Sequence, residues 1–238
     1  GAHYNNDNGP YSGSAYLFDA STGVQIAKLL PSDGAEFDEF GNSIAIANGV
    51  VVVGAYYDDD NGSSSGSAYL FDASTGVQIA KLLPSDGASN HDFGYSIAIA
   101  NGVVAVGAHA DDDNGSRSGS AYLFDASTGV QIAKLLPSDG ATFDRFGNSI
   151  AITNGVVAVG AWKDDDNGSN SGSAYVFTVP GADCPADLTG EGTLDFFDIS
   201  AFLTAFSGGD LIADFSNDGV LDFFDISAFL TAFASGCP

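Results

Sequence analysis

An all-β propeller of four-stranded antiparallel blades, followed by a small all-α module, is the fold this sequence predicts. Three observations predict it. The phrase GAYYDDDNGSSSGSAYLFDAS at Gly54 has counterparts beginning at Gly1, Gly107 and Gly160, each 53 residues from the next. Within one such period the apolar residues follow strand patterns and show no helical periodicity. Beyond residue 180 a second repeat of 27 residues begins, and its apolar residues recur at i, i+3, i+4 and i+7.

One full unit, Asp38 to Asn90, supplies the blade in order. SIAIA alternates, and Asn48-Gly49 is a two-residue hairpin turn, since both positions need positive φ. VVVVGA follows, apolar on both faces as a strand between two neighbours must be. The acidic loop DDDNGSSSG leads into SAYLFD, where Ala68 and Leu70 face one way and Tyr69 and Phe71 the other. Ser74-Thr75-Gly76 then turns the chain into VQIAKLL, whose Gln78 and Lys81 suit an outer, wetter strand. Antiparallel sheets that are apolar on both faces and repeated in tandem bury those faces by stacking around an axis. A β-solenoid is the alternative, but its coils are much shorter than 53 residues.

The pairs Phe40-Gly41, Phe93-Gly94 and Phe146-Gly147, each followed about a dozen residues later by VGA, resemble the FG-GAP repeat. The likeness covers residues 1 to about 180, or about 3.4 repeats, and DDDNGSxSGSAY strengthens it in the later copies. It implies the propeller found in integrin α subunits and in many bacterial surface proteins. Integrin-type repeats carry a calcium loop between the FG and GA strands. Here a tight Asn-Gly turn stands in that place, so calcium binding does not carry over to it.

The acidic loop after VGA is a separate candidate for a hard cation, because its side-chain oxygens cluster. Its residues are Asp58 and Asp60, Asp111 and Asp113, and Asp164 and Asp166, each pair flanking a middle aspartate. The competing reading is a solvated turn whose Asp and Asn side chains bond their own backbone. Variation between copies concentrates at His3, Tyr56, His109 and Trp162, at Tyr4, Tyr57, Ala110 and Lys163, and at Tyr11, Ser64, Arg117 and Asn170. In a propeller these positions gather on one rim, where aromatic and charged groups suit a glycan or protein partner.

In the C-terminal module LDFFDISAFLTAF occurs at Leu194 and again at Leu221. Ile199, Phe202, Leu203 and Phe206, with Ile226, Phe229, Leu230 and Phe233, form the expected core stripes of two helices. Ahead of each helix lies a twelve-residue oxygen-rich loop. The first offers Asp187, Thr189, Glu191, Thr193 by its carbonyl, Asp195 and Asp198; the second offers Asp214, Ser216, Asp218, Val220 by its carbonyl, Asp222 and Asp225. With Gly192 and Gly219 at the sixth position this is the spacing of an EF-hand calcium loop, closed by Asp where Glu is usual.

Paired loops of this kind, each followed by one helix, resemble a dockerin module over residues 183–238. The resemblance implies Ca2+ as the bound ion and a cohesin-like partner. Loop positions 10 and 11, used by dockerins for that contact, are Phe196-Phe197 and Phe223-Phe224 here, in place of the small hydroxyl pairs of cellulosomes. Dockerin-like modules bring their ends together, so Cys184 and Cys237, which bracket this segment, are expected to form a disulfide.

With 31 acidic residues against 6 basic ones, the chain repels nucleic acid and anionic membranes and attracts cations. No catalytic constellation emerges: His3, His91 and His109 do not recur beside a nucleophile, so no enzymatic activity is expected. The expectation is a calcium-binding structural or adhesion protein at the cell surface or outside the cell. Its alternative is a carbohydrate-binding propeller module. Since the chain starts inside a repeat and contains no Met, upstream repeats and an export signal are expected. Completion of the propeller by strand exchange with further copies, as a dimer or a filament, is expected as well.

Overall fold

The computed structural model describes residues 1–153, 155–180, 186–190, 194–216 and 218–235. It divides into two compact units, Gly1–Thr178 and Val179–Pro238.

The first unit is an all-β repeat fold of four antiparallel, blade-like sheets, each a simple meander. The first sheet pairs β1 (Ala15–Phe18) with β2 (Gln25–Leu29). The second contains β3 (Ile44–Ala47), β4 (Val50–Ala55), β5 (Ser67–Asp72) and β6 (Gln78–Leu82) in chain order. The third repeats it as β7 (Phe93–Ala100), β8 (Val103–Ala108), β9 (Ser120–Asp125) and β10 (Gln131–Leu135). The fourth has β11 (Phe146–Thr153), β12 (Val156–Ala161) and β13 (Ser173–Thr178). The expected strands are therefore all present. Asn48 and Gly49 sit at φ 48° and 77°, and Asn101 and Gly102 at 48° and 73°, as the hairpin turn requires.

The FG and GA signatures lock one sheet to the next. Each FG phenylalanine is buried and bridges the glycine that precedes the third strand of the previous repeat, Phe93 to Gly66 and Phe146 to Gly119. The following glycine turns at positive φ, and its carbonyl accepts from a serine one repeat earlier: Ser43 Oγ to Gly94 O at 2.6 Å, Ser96 Oγ to Gly147 O at 2.7 Å. That carbonyl lies over the GA glycine of the earlier sheet, where a Cβ on Gly54 or Gly107 would overlap it. The two dipeptides are halves of one contact, and any side chain at Gly54 would part the sheets.

Behind this contact, Val52 and Leu70 of the second sheet pack on Phe93, Val104, Val106, Tyr122 and Phe124 of the third. Each such side chain removed from water contributes about 1.5–3 kcal/mol before entropy is counted. Phe93 meets Tyr122 and Phe124 edge-on at 5.5 and 5.7 Å, and Phe146 repeats this with Tyr175 and Phe177 at 5.6 and 5.8 Å.

In the second unit α1 (Phe196–Gly208) and α2 (Phe223–Ser235) flank a short 3-10 turn, Leu211–Ala213. Asp195 caps α1 and Asp198 reaches back to the cap N–H, a reciprocal capping box. Phe202 and Phe229 stack flat, 4.1 Å apart at 7°, in a small core with Ile199, Phe206, Ile226 and Phe233 around them. The expected stripes are too wide: Leu203 and Leu230 are 54% and 51% exposed. The flat stack centres the buried face of each helix on one phenylalanine, and among the described residues Leu203 and Leu230 stay outside the core cluster built around it.

Candidate functional site

The repeated acidic loop is held by its own hydrogen bonds. The amide of Gly66 donates to Asp58 O at 2.8 Å, and Gly119 and Gly172 repeat this on Asp111 and Asp164. The middle aspartate serves the backbone: Asp59 Oδ1 accepts from Ser64 N at 2.7 Å, and Asp112 and Asp165 do the same for Arg117 and Asn170. In the first copy Asn6 accepts from Tyr11 N at 2.8 Å in the same role. The three adjacent aspartates of each loop therefore do not share one task.

The first aspartate points in. Asp58, Asp111 and Asp164 are buried. Asp58 Oδ2 accepts from Tyr69 Oη at 2.9 Å and from Lys81 Nζ at 3.0 Å. Lys81 also pairs with Asp60 at 2.6 Å and with Asp33 at 2.9 Å, so one ammonium serves three carboxylates. Asp33 lies in the PSDG loop of the preceding repeat and also accepts from Tyr69 Oη at 3.0 Å. The cluster is thus shared between consecutive sheets. Lys81 and Gln78 do not point to open water, contrary to the outer-strand expectation: Gln78 Oε1 accepts from Ser32 N at 2.9 Å across the same junction. Burial opposes the charge on Lys81, but its carboxylate partners win and push its pKa up.

One period later the cluster recurs around Lys134, which pairs with Asp86 at 2.7 Å, Asp111 at 3.3 Å and Asp113 at 2.5 Å. His91 Nδ1 lies 3.3 Å from the Asp111 carboxylate, and that carboxylate raises the His91 pKa. The first copy is a reduced version in which Lys28 pairs with Asp7, and Asn5, in place of the first aspartate, donates to Tyr16 Oη at 3.1 Å. The fourth copy has the acids without the lysine. Asp164 accepts from Tyr175 Oη at 2.7 Å and from Asp166 N at 3.0 Å. Asp166 is held above the usual carboxylate range, first by the charge of Asp164.

Sequence reading missed the lysines, tyrosines and PSDG aspartates of these clusters. A signal was present: of only six basic residues, three stand one period apart at Lys28, Lys81 and Lys134.

In the second unit the closing aspartates are the most enclosed of the predicted ligands. Asp198 and Asp225 are fully buried. Asp225 accepts from Ser216 N at 2.9 Å and Asp222 N at 2.8 Å, and these N–H groups hold its pKa down. Asp198 accepts from Thr189 N and Asp195 N, both at 3.0 Å, and from Thr189 Oγ1 at 2.8 Å. At the loop starts, Asp187 Oδ1 accepts from Gly190 N at 2.8 Å, and Asp214 accepts from Asp218 N at 3.2 Å and Gly219 N at 2.8 Å. Asp218 in turn accepts from Val220 N at 2.9 Å. Among the described residues no three carboxylates or imidazoles are grouped to hold a metal ion. Glu191, Thr193, Cys184 and Cys237 lie outside the described residues. Phe196, Phe197, Phe223 and Phe224 are exposed and are not core.

The variable positions form an aromatic border. Tyr57, Tyr56, Tyr95 and His109 make a chain of rings with centroids 4.0, 5.6 and 4.1 Å apart, crossing from one repeat to the next. Exposed Tyr11 stacks on exposed Phe37 at 5.9 Å. Phe37 and Phe143 hold φ of 71° and 74°, a costly conformation for a bulky side chain, where the equivalent residue of the middle copy is Asn90.

No curated protein matches the chain. Among solved structures, the computationally designed Ika4 protein is similar, with a TM-score of 0.44 and 18% identity over 71% of this chain and 81% of that one. The FG-GAP repeat family matches three times, over residues 24–71, 77–124 and 130–177, which is more than half of the sequence. With the FG and GA glycines locked together at each junction, the chain belongs to the FG-GAP repeat family.

Proposed function

We propose that this chain is a non-enzymatic binding and assembly protein of the cell exterior, in which sheets stack on sheets between copies or partners. FG-GAP repeats are typical of extracellular or surface proteins. Among the described residues no helix is long and apolar enough to cross a membrane. The observation that carries the proposal is the open face of the fourth sheet. Val176 is 70% exposed, whereas its equivalents Leu70 and Leu123 are fully buried under the next sheet. At the other end of the array Phe18, Ile44 and Ile46 are exposed. Two different apolar faces at opposite ends of one array give a head-to-tail contact, which builds a filament unless it closes into a ring. Light scattering against concentration tests this, with growth beyond the monomer mass expected and Val176→Asp abolishing it. A chain that stays monomeric throughout refutes it.

The second unit is proposed as a dockerin-like calcium module, supported by all-oxygen loops whose half-buried first and fully buried last carboxylates are already aimed by backbone N–H groups. Ca2+ would bind through Asp187, Thr189, Glu191, Thr193, Asp195 and Asp198, and through Asp214, Ser216, Asp218, Val220, Asp222 and Asp225. Ion binding would add to the stability of this small core. The exposed phenylalanine pairs that open each helix suit a cohesin-like partner. Circular dichroism of the chain with and without chelator tests the ion: loss of helix signal on chelation is expected, and an unchanged signal refutes it.

A second reading, carbohydrate recognition, is favoured by the aromatic border. Exposed rings at Tyr4, Tyr11, Phe37, Tyr57, Phe143 and Trp162 present flat apolar faces beside polar loops. A glycan array on the intact chain separates it from assembly alone.

A further inference from the structure

In the second and third sheets the third strand has the same sequence, SAYLFD, and the same cover. β6 lies on β5 with Leu82 opposite Ala68, Lys81 opposite Tyr69 and Ala80 opposite Leu70. β10 lies on β9 in the same way, with Leu135, Lys134 and Ala133 opposite Ala121, Tyr122 and Leu123. In both, the register that pairs the strands is the register that delivers the ammonium to the carboxylates beside the tyrosine. β13 is SAYVFT, pairs among the described residues with β12 alone, and presents Ala174, Tyr175 and Val176 at the equivalent positions. The chain does not stop there: it runs on past Thr178 into the second unit without repeating QIAKL. Asp164 accepts from Tyr175 Oη, Asp139 also acts on that hydroxyl, Asp166 lies near both carboxylates, and among the described residues no ammonium is paired with any of the three.

We infer that the free edge of β13 is an acceptor for an extended, lysine-bearing β-strand of a partner polypeptide, with Lys opposite Tyr175, Leu opposite Ala174 and a small residue opposite Val176. This rests on the assembly reading above and specifies the partner's chemistry. The charge is complementary: Asp139, Asp164 and Asp166 lie near one another where each of the two four-stranded sheets places one ammonium. The edge is complementary too, because an added strand satisfies the unpaired backbone of β13 as β6 and β10 satisfy β5 and β9. A second folded copy is a poor donor. Its three QIAKL strands are already paired with β1, β5 and β9, and lending one would open an edge for each edge closed.

The probe is a fluorescent peptide with the sequence of residues 127–141, STGVQIAKLLPSDGA, titrated into the intact chain and followed by anisotropy. Saturable binding that weakens with salt is expected. A peptide carrying Lys134→Gln should bind about tenfold more weakly, as loss of a shielded charge pair implies. The chain variant Asp164→Asn with Asp166→Asn should lose the same preference for lysine. The loop tolerates Asn at its first position, as Asn5 shows; if the variant fails to fold, the two peptides decide alone. No binding, or equal binding of the Lys and Gln peptides, overturns the inference. A chain that binds the peptide but never self-associates keeps the inference and removes head-to-tail assembly. A self-associating chain that ignores the peptide does the reverse.

Discussion

The third and fourth sheets differ by one strand and one neighbour. β9 is buried at five of its six positions, while β13 alternates between half-buried and exposed. Both bond their tyrosine hydroxyl to a buried aspartate, Tyr122 to Asp111 and Tyr175 to Asp164. What the fourth sheet lacks is the strand that brings Lys134 to the third. The difference teaches that burial here belongs to junctions and not to strands. A strand that reads as core in every copy is core only where a fourth strand and a following sheet cover it. The lysine and the edge pairing arrive together, so charge neutralisation and sheet completion are one event.

The largest expected effect tests that coupling. Replacing Lys81 with Gln in the complete second sheet leaves buried Asp58 facing Asp33 and Asp60 without a cation, bonded by the Tyr69 hydroxyl and the Asp60 amide. A buried carboxylate stripped of its partner costs about 3 kcal/mol or more. Urea unfolding should show a loss of that order, and a loss within about 0.5 kcal/mol, as for an ordinary surface site, would break the comparison.

A smaller effect lies beside the same cluster, where Asp38, His91 and Asp144 occupy one repeat position. Burial, with a further contribution from the charge of Asp58, raises Asp38 to about 6, against 3.8 when unfolded. The folded chain therefore holds more protons between those two values, and stability falls as pH rises through that window. Asp38→Asn keeps an acceptor for the Ala35 amide, now 2.6 Å from Asp38 Oδ2, and removes the charge. It should stabilise the chain by about 1 kcal/mol at neutral pH, and not below the lower of the two values. An equal change in melting temperature at both pH extremes would contradict the account.

The smallest expected effect is at the middle aspartate. Asp59→Asn preserves the acceptor that Asn6 already supplies in the first copy, so stability should move by no more than about 0.5 kcal/mol. A larger loss in thermal unfolding would give Asp59 a role beyond holding the Ser64 amide.

Much of the fold was legible because period-two alternation, Asn-Gly turns and a fixed repeat are local signals. The FG and GA glycines were recognised as a signature, but their reason is a contact between repeats, which no single unit contains. The acidic loops were visible, and the oxygen cluster suggested a cation. What satisfies the first and third aspartates in the second and third sheets is a lysine 23 and 21 residues further along, together with a tyrosine. Gln78 and Lys81 read as solvent-facing because a polar residue on an outer strand is usually wet, and the loop of the preceding repeat overrides that rule. Leu203 and Leu230 failed in the opposite sense: the helical stripe was correct in phase, but the core cluster built around Phe202 and Phe229 does not take in its full width.

Hydrogen exchange of β13 against β5 and β9 tests the central claim most directly, because the three strands differ in cover and hardly in sequence. In dilute solution the amides of residues 173–178 should exchange about tenfold faster or more than those of 67–72 and 120–125, and the lysine peptide should slow them. Equal protection of all three strands in the free chain would contradict it.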